Sequence, residues 1–118
     1  MRTLIAILSL LITAFGTGAA WAHAHLDHAS PAIGSTVAAA PHEVALWFTE
    51  NLEPAFSTVQ VTDASGARVD QGKAQISGNT MRVELTALVP GSYRVRWHAL
   101  SVDTHTTEGS FTFHVGGS

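Results

Sequence analysis

Three stretches in the second half of the chain alternate strictly between apolar and polar residues. The apolar members are Met81, Val83 and Leu85, then Tyr93, Val95, Trp97 and Ala99, and finally Phe111, Phe113 and Val115. Successive side chains of a β-strand point to opposite faces of the sheet, so each stretch predicts a strand with one buried and one wet face. Beyond residue 22, no segment shows the apolar period of a helix together with capping residues. This pattern restricts the chain to a fold built from β-sheets.

Turn-forming residues separate these and other runs of β-forming residues. We predict strands at residues 44–48, 58–62, 74–76, 80–85, 92–99 and 109–115, with a further strand at 24–28. The stretch 38–40 is predicted to be a loop, because the proline that follows it disfavours the helical conformation. The fold class is therefore all-β: a small antiparallel Greek-key β-barrel or sandwich of about seven strands. Trp47 and Trp97 are expected to be large core residues.

The first 22 residues have the composition of a secretory signal peptide. Arg2 precedes an apolar run at residues 4–12, which is too short to span a bilayer, and the segment ends in Ala20-Trp21-Ala22, a signal for cleavage. We expect cleavage after Ala22, which leaves one domain at residues 23–118; the alternative is a retained membrane anchor. The predicted mature chain is exported, with the bacterial periplasm as its expected location.

The predicted mature chain is acidic and has no cysteine. The chain has nine acidic and six basic residues, and one of the basic residues is Arg2 of the predicted leader. Because the predicted mature chain has a negative net charge, electrostatic binding to nucleic acid or to an anionic membrane is not expected. Because an exported domain without cysteine has no disulfide framework, its stability must come from the hydrophobic core.

All seven histidines follow the predicted cleavage site. Cleavage after Ala22 would make His23 the first residue, so its α-amine and its imidazole could chelate one metal ion. Asp103-Thr104-His105 lies in a predicted loop and adds a carboxylate and a second imidazole, which an extended chain would hold on the same side. Three nitrogens and one oxygen are a donor set typical of Cu(II) or Ni(II).

His25 leaves a second arrangement open. An α-amine, two backbone amide nitrogens and an imidazole at the third position can surround Cu(II) in a square plane, and an unfolded tail could form the same chelate. Otherwise we expect His25 beside the site, as an additional ligand or as a neighbour of the ligands. The remaining histidines are interpreted as surface or structural residues: His28, His42, His98 and His114. Only Met81 could offer sulfur within residues 23–118, so the prediction is one Cu(II) ion per chain rather than Cu(I).

Several short motifs follow one another along residues 23–118: His23-Ala24-His25-Leu26, Ser30-Pro31-Ala32-Ile33-Gly34-Ser35, residues 44–54 (VALWFTENLEP), residues 90–97 (PGSYRVRW), residues 101–105 (SVDTH) and residues 109–113 (GSFTF). With these motifs in order, the chain resembles the CopC family of periplasmic copper-resistance proteins over nearly all of residues 23–118. The resemblance implies a cupredoxin-like or immunoglobulin-like β-barrel that binds Cu(II) through His23, Asp103 and His105. Some members also have a methionine-rich Cu(I) site. Residues 69–79 contain no methionine, so this chain resembles the members with a Cu(II) site alone.

These features predict a monomeric, non-enzymatic carrier or buffer of Cu(II) in copper resistance and homeostasis. The resemblance implies an inner-membrane copper transporter as a partner. Two alternatives stay open: a small copper mono-oxygenase of the N-terminal-histidine type, and a metal-free immunoglobulin-like binding module.

Overall fold

The computed structural model describes residues 24–117, which form eight strands and one short 3₁₀ turn, Pro54–Phe56. The strands are β1 (Leu26–Ser30), β2 (Thr36–Val37), β3 (Glu43–Phe48), β4 (Thr58–Asp63), β5 (Asp70–Ser77), β6 (Thr80–Leu85), β7 (Gly91–Leu100) and β8 (Thr106–Val115). Within residues 24–117 the structure contains no apolar helix of membrane-spanning length.

The strands form two four-stranded sheets, which confirms the predicted all-β fold class. One sheet has the order β1-β3-β6-β5 and the other the order β2-β8-β7-β4. All neighbours are antiparallel except β2 and β8. The prediction missed β2, because its two residues are too few to show a period. The other predicted strands are present, although several are longer and the first begins at Leu26.

The core lies between the sheets and contains all three alternating apolar sets. Trp97 packs edge-on against Phe48, with ring centroids 5.1 Å apart, and Tyr93 stacks on Phe113 at 5.5 Å. The prediction of Trp97 as a core residue is confirmed.

The prediction of Trp47 as a core residue is wrong. Its ring lies half-buried on the outer face of the first sheet and stacks on His28, with centroids 4.4 Å apart. The Arg82 guanidinium lies 5.5 Å from the same ring. The run at 44–48 is apolar throughout, so it has no alternation to indicate which side chains face inward.

The two sheets are joined along one side by β4 and the start of β5. The Asp70 carboxylate accepts hydrogen bonds from the Val61 amide at 2.9 Å and from the Arg68 guanidinium at 2.8 and 2.7 Å. The Asp70 side chain is 3% exposed, whereas that of Arg68 is 58% exposed. The bonds from Arg68, followed by the bond from Val61, hold the pKa of Asp70 below its usual value.

The β7–β8 hairpin is the longest in the described chain. Ten residue pairs join its strands, from Gly91 with Val115 to Leu100 with Thr106. The loop at its open end consists of residues 101–105, so a rigid double strand supports the predicted Asp-x-His motif.

Candidate metal centre

The loop at residues 101–105 is held in place by its own backbone and by a neighbouring segment. The Ser101 amide donates to the His105 carbonyl at 2.9 Å, and the Thr104 amide donates to the Ser101 carbonyl at 2.8 Å. The Val102 amide donates to the Asn51 carbonyl at 3.0 Å, which fastens the loop to the chain that leaves β3. The loop is therefore anchored at several points by main-chain hydrogen bonds.

Ser101 is the buried centre of this loop. The residue has no exposed surface, and its hydroxyl donates a hydrogen bond to the Asp103 carboxylate. The same oxygen lies 3.3 Å from both the amide nitrogen and the carbonyl oxygen of His105. One small side chain thus contacts both residues of the Asp-x-His motif and restricts their positions.

Thr104 has a left-handed backbone conformation. Its φ is +73°, and within residues 24–117 no other non-glycine residue has a positive φ. A β-branched residue is disfavoured there, so the surrounding hydrogen bonds must hold it in place. The expectation of an extended chain at Asp103-Thr104-His105 is therefore wrong. The two side chains still converge, but they do so across a turn.

The Asp103 and His105 side chains form a close, accessible pair. Asp103 Oδ1 lies 3.5 Å from His105 Nδ1, and the side chains are 37% and 47% exposed respectively. The Ser101 hydrogen bond lowers the pKa of Asp103, and His105 lowers it further. At neutral pH the pair therefore presents an anionic oxygen beside an imidazole, which is a suitable pair of donors for a divalent metal ion.

The start of the described chain is bonded to β8 and to the residue that follows β3, at this same end of the sandwich. The Thr107 hydroxyl donates to the Ala24 carbonyl at 2.6 Å, and Thr107 lies two residues beyond His105. The His25 amide donates to Thr49 Oγ1, and the Thr49 amide donates to the His25 carbonyl, both at 2.9 Å. Ala24 has no exposed surface. The N-terminal segment is thus fixed against the strand that follows the Asp-x-His loop.

Sequence reasoning missed Ser101, Thr49 and Thr107. Hydroxyl residues are common in strands and turns, and nothing in their spacing separates these three from the other serines and threonines.

The CopC domain model matches this chain over residues 26–116. The chain belongs to the CopC domain family. It is 36% identical over 118 residues to the protein YobA of Escherichia coli K12, an alignment that covers 97% of this chain and 95% of that protein. It is 37% identical over 105 residues to copper resistance protein C of Pseudomonas syringae pv. tomato, with 81% and 82% covered.

A solved structure of the same family supports the fold. The crystal structure of CopC from Methylosinus trichosporium OB3b superposes with a TM-score of 0.75 at 34% sequence identity. The superposition covers 80% of this chain and 94% of that one. The predicted resemblance to the CopC family is confirmed.

Of the three predicted ligands, Asp103 and His105 lie within the described residues of this CopC domain. His23 and the predicted leader 1–22 lie outside the described residues. Within residues 24–117 no group of three His, Cys, Asp or Glu side chains could hold a metal ion. Asp103 and His105 are the two predicted ligands that the described structure brings together.

The remaining histidines occupy the surface and the outer faces of the CopC domain. His28 Nδ1 lies 2.8 Å from Asp27 Oδ2, and its ring covers Trp47. His114 Nδ1 lies 2.8 Å from Ser92 Oγ. His25 is exposed next to the Asp-x-His end, while its main chain pairs with Thr49.

Proposed function

We propose that this CopC-family chain is exported, cleaved after Ala22, and then binds one Cu(II) ion as a carrier or buffer. The proposed donors are the α-amine and imidazole of His23, the Asp103 carboxylate and the His105 imidazole. Copper is the cargo of such a protein, so the chain itself has only to bind the ion, shield it and release it.

The observation that carries the proposal is the hydrogen bond from Thr107 to the Ala24 carbonyl. Residue 23 directly precedes Ala24, and Thr107 lies two residues after His105. The bond therefore ties the chain next to the predicted mature terminus to the strand that follows the Asp103–His105 loop. This proximity supports a site assembled from the terminus and the loop.

The chemistry of the donors favours Cu(II) over Cu(I). A carboxylate and imidazoles suit the harder cupric ion, whereas Cu(I) prefers thiolates and thioethers. The chain has no cysteine, and Met81 has no exposed surface in the core. The low pKa of Asp103 keeps an anion available to a dication at neutral pH.

The proposed role agrees with the relatives. One relative is named copper resistance protein C, which supports a part in copper resistance for this chain. The leader composition and the absence of cysteine support a periplasmic location. We further propose that the chain acts as a monomer and exchanges copper with an inner-membrane copper transporter.

The test uses the secreted protein, whose mass shows whether it begins at His23. Competition titration with a chelator of known affinity then measures Cu(II) binding. We expect one Cu(II) per chain and an affinity loss of more than about 100-fold in His23→Ala, since even neighbours of metal ligands often contribute 10–100-fold. His42→Ala is the control, because His42 lies at the opposite end of β3 from Thr49. An unchanged affinity in His23→Ala, or a different first residue, contradicts the proposal.

A further inference from the structure

The hydrogen bonds at Ala24 and His25 have a consequence for metal binding that rests on the proposed function. We propose that Thr49 and Thr107 determine which of two copper-binding modes the mature N-terminus adopts. The pair, called here the threonine clamp, holds residues 24–25 in a strand-like conformation. It so suppresses a chelate that residues 23–25 would form when unrestrained.

The suppressed mode is set by the sequence His23-Ala24-His25. A terminal amine followed by a histidine in third position can surround Cu(II) or Ni(II) with four nitrogens in a square plane. Those nitrogens are the amine, the amide nitrogens of residues 24 and 25, and the His25 imidazole. Both amides must lose their protons and turn towards the metal. This mode uses neither Asp103 nor His105.

The backbone at His25 opposes that rearrangement. Its amide proton is directed at Thr49 Oγ1, at 2.9 Å, and its carbonyl accepts from the Thr49 amide at the same distance. The two bonds extend the β1–β3 pairing by one residue beyond Leu26 and Phe48. The amide nitrogen of His25 cannot become a metal ligand until the bond to Thr49 Oγ1 is broken.

A second restraint on this rearrangement acts at Ala24 and comes from β8, in the sheet that does not contain β1. The Ala24 carbonyl accepts the Thr107 hydroxyl at 2.6 Å, and the residue has no surface exposed to solvent. Bringing the Ala24 amide nitrogen to a metal would pull this residue out of the cluster of buried apolar side chains. None of these three hydrogen bonds uses an atom of residue 23, so the clamp does not oppose binding of its amine and imidazole together with the Asp-x-His loop.

The first test uses the metal-free secreted protein. Amide hydrogen exchange at His25 is compared between wild type, Thr49→Val and Thr49→Ser. We expect exchange to be at least about fivefold faster in Thr49→Val, the factor that corresponds to one net hydrogen bond of about 1 kcal/mol. Thr49→Ser keeps the hydroxyl and should behave as wild type. Equal exchange in wild type and Thr49→Val overturns the proposed role of Thr49.

The second test uses Ni(II), because its four-nitrogen square-planar complex is diamagnetic and absorbs visible light. We expect the folded double variant Thr49→Val/Thr107→Val to form this complex about tenfold or more tightly than wild type, since two opposing hydrogen bonds are lost. Adding His25→Ala should abolish the complex. The matched control is Thr106→Val, which removes an exposed hydroxyl from the neighbouring position of β8. It should match wild type.

Folding is checked by near-ultraviolet circular dichroism, and Thr49→Ser/Thr107→Ser serves as the rescue variant should the valine variant unfold. The rescue variant should suppress the nickel complex as wild type does. The inference is overturned if folded wild type forms the four-nitrogen complex as tightly as the double variant, or if the rescue variant forms it despite keeping both hydroxyls.

The two proposals fail in different ways. If Cu(II) binding in wild type does not depend on His23, Asp103 and His105, the proposed function is wrong. If Cu(II) binding does depend on these three residues, but the clamp variants change neither the amide exchange at His25 nor the affinity of the nickel complex, only the proposed role of the threonine clamp is wrong.

Discussion

Gly109 lies against the indole ring of Trp97, its partner in the β7–β8 register, so an added methyl group is expected to destabilise the fold. A Cβ atom at Gly109 would lie 2.8 Å from Trp97 Cζ2 and 3.1 Å from Cε2. Carbon atoms pack best about 3.5–4.0 Å apart, so the ring must move by roughly 0.7 Å or more. Phe48 packs edge-on against Trp97, with ring centroids 5.1 Å apart, and is itself buried, so the indole ring has a close neighbour in the core.

The expected change in the free energy of unfolding is the sum of two opposing contributions. Overpacking a core costs about 1–3 kcal/mol, while replacing a strand glycine with alanine otherwise stabilises by about 0.5–1 kcal/mol through the unfolded chain. We therefore expect Gly109→Ala to lower the free energy of unfolding by about 1–2 kcal/mol. For a domain of this size the melting temperature should fall by roughly 5–15 °C.

Urea unfolding followed by circular dichroism measures this change. Gly116→Ala is the matched control, because its new Cβ would make only ordinary contacts, 3.6 Å from the Val37 carbonyl oxygen and 3.7 Å from Thr36 Cγ2. We expect the control to stay within about 0.5 kcal/mol of wild type. Trp97→Phe removes the crowding atoms, so Gly109→Ala should cost at least about 1 kcal/mol less in that background. Equal stability of the two alanine variants, or an equal cost in both backgrounds, would refute the reasoning.

Two further predictions concern Asp70 and Thr104. Asp70→Asn removes the anion that accepts from Arg68 and should lower the free energy of unfolding at pH 7 by about 1–2 kcal/mol. Because folding lowers the pKa of Asp70, this contribution is complete above the usual carboxyl pKa of about 3.9. It is lost as the pH falls through the lower folded value, so the curves of wild type and variant should converge below about pH 4 in urea titrations; parallel curves would count against the ion pair. Thr104→Asn should raise the free energy of unfolding by about 1 kcal/mol, because Asn tolerates a φ of +73° better than a β-branched residue does. A less stable Thr104→Asn variant, measured by the same titration, would show that the threonine side chain contributes more than its backbone strain costs.

The strands of the second half were predictable because their signal is local. Successive side chains of a strand point alternately to the core and to solvent. Tyr93, Val95 and Trp97 could therefore be assigned to the core without knowledge of the partner strands. The same reasoning failed for Trp47, because the residues around it are all apolar and show no alternation. It also failed for β2, whose two residues pair with β8 only because the fold brings them there.

The candidate site likewise has some features that the sequence predicts and others that only the structure shows. The sequence alone supplied the proposed donors: a histidine at the predicted terminus, an Asp-x-His motif, no cysteine and one methionine beyond the predicted leader. These are properties of residue types and short spacings, and the tertiary structure does not alter them.

Only the tertiary structure decided how the motif is supported. Thr107 bonds to Ala24 across 83 positions of the chain, and Thr49 pairs with His25 across 24. The left-handed turn at Thr104 is flanked by Asp103 and His105, and the buried hydroxyl of Ser101 bonds to both of them. Contacts of this kind depend on which strand ends meet at one edge of the sandwich. That meeting is set by the packing of the two sheets as a whole, for which no short segment of sequence carries a signal.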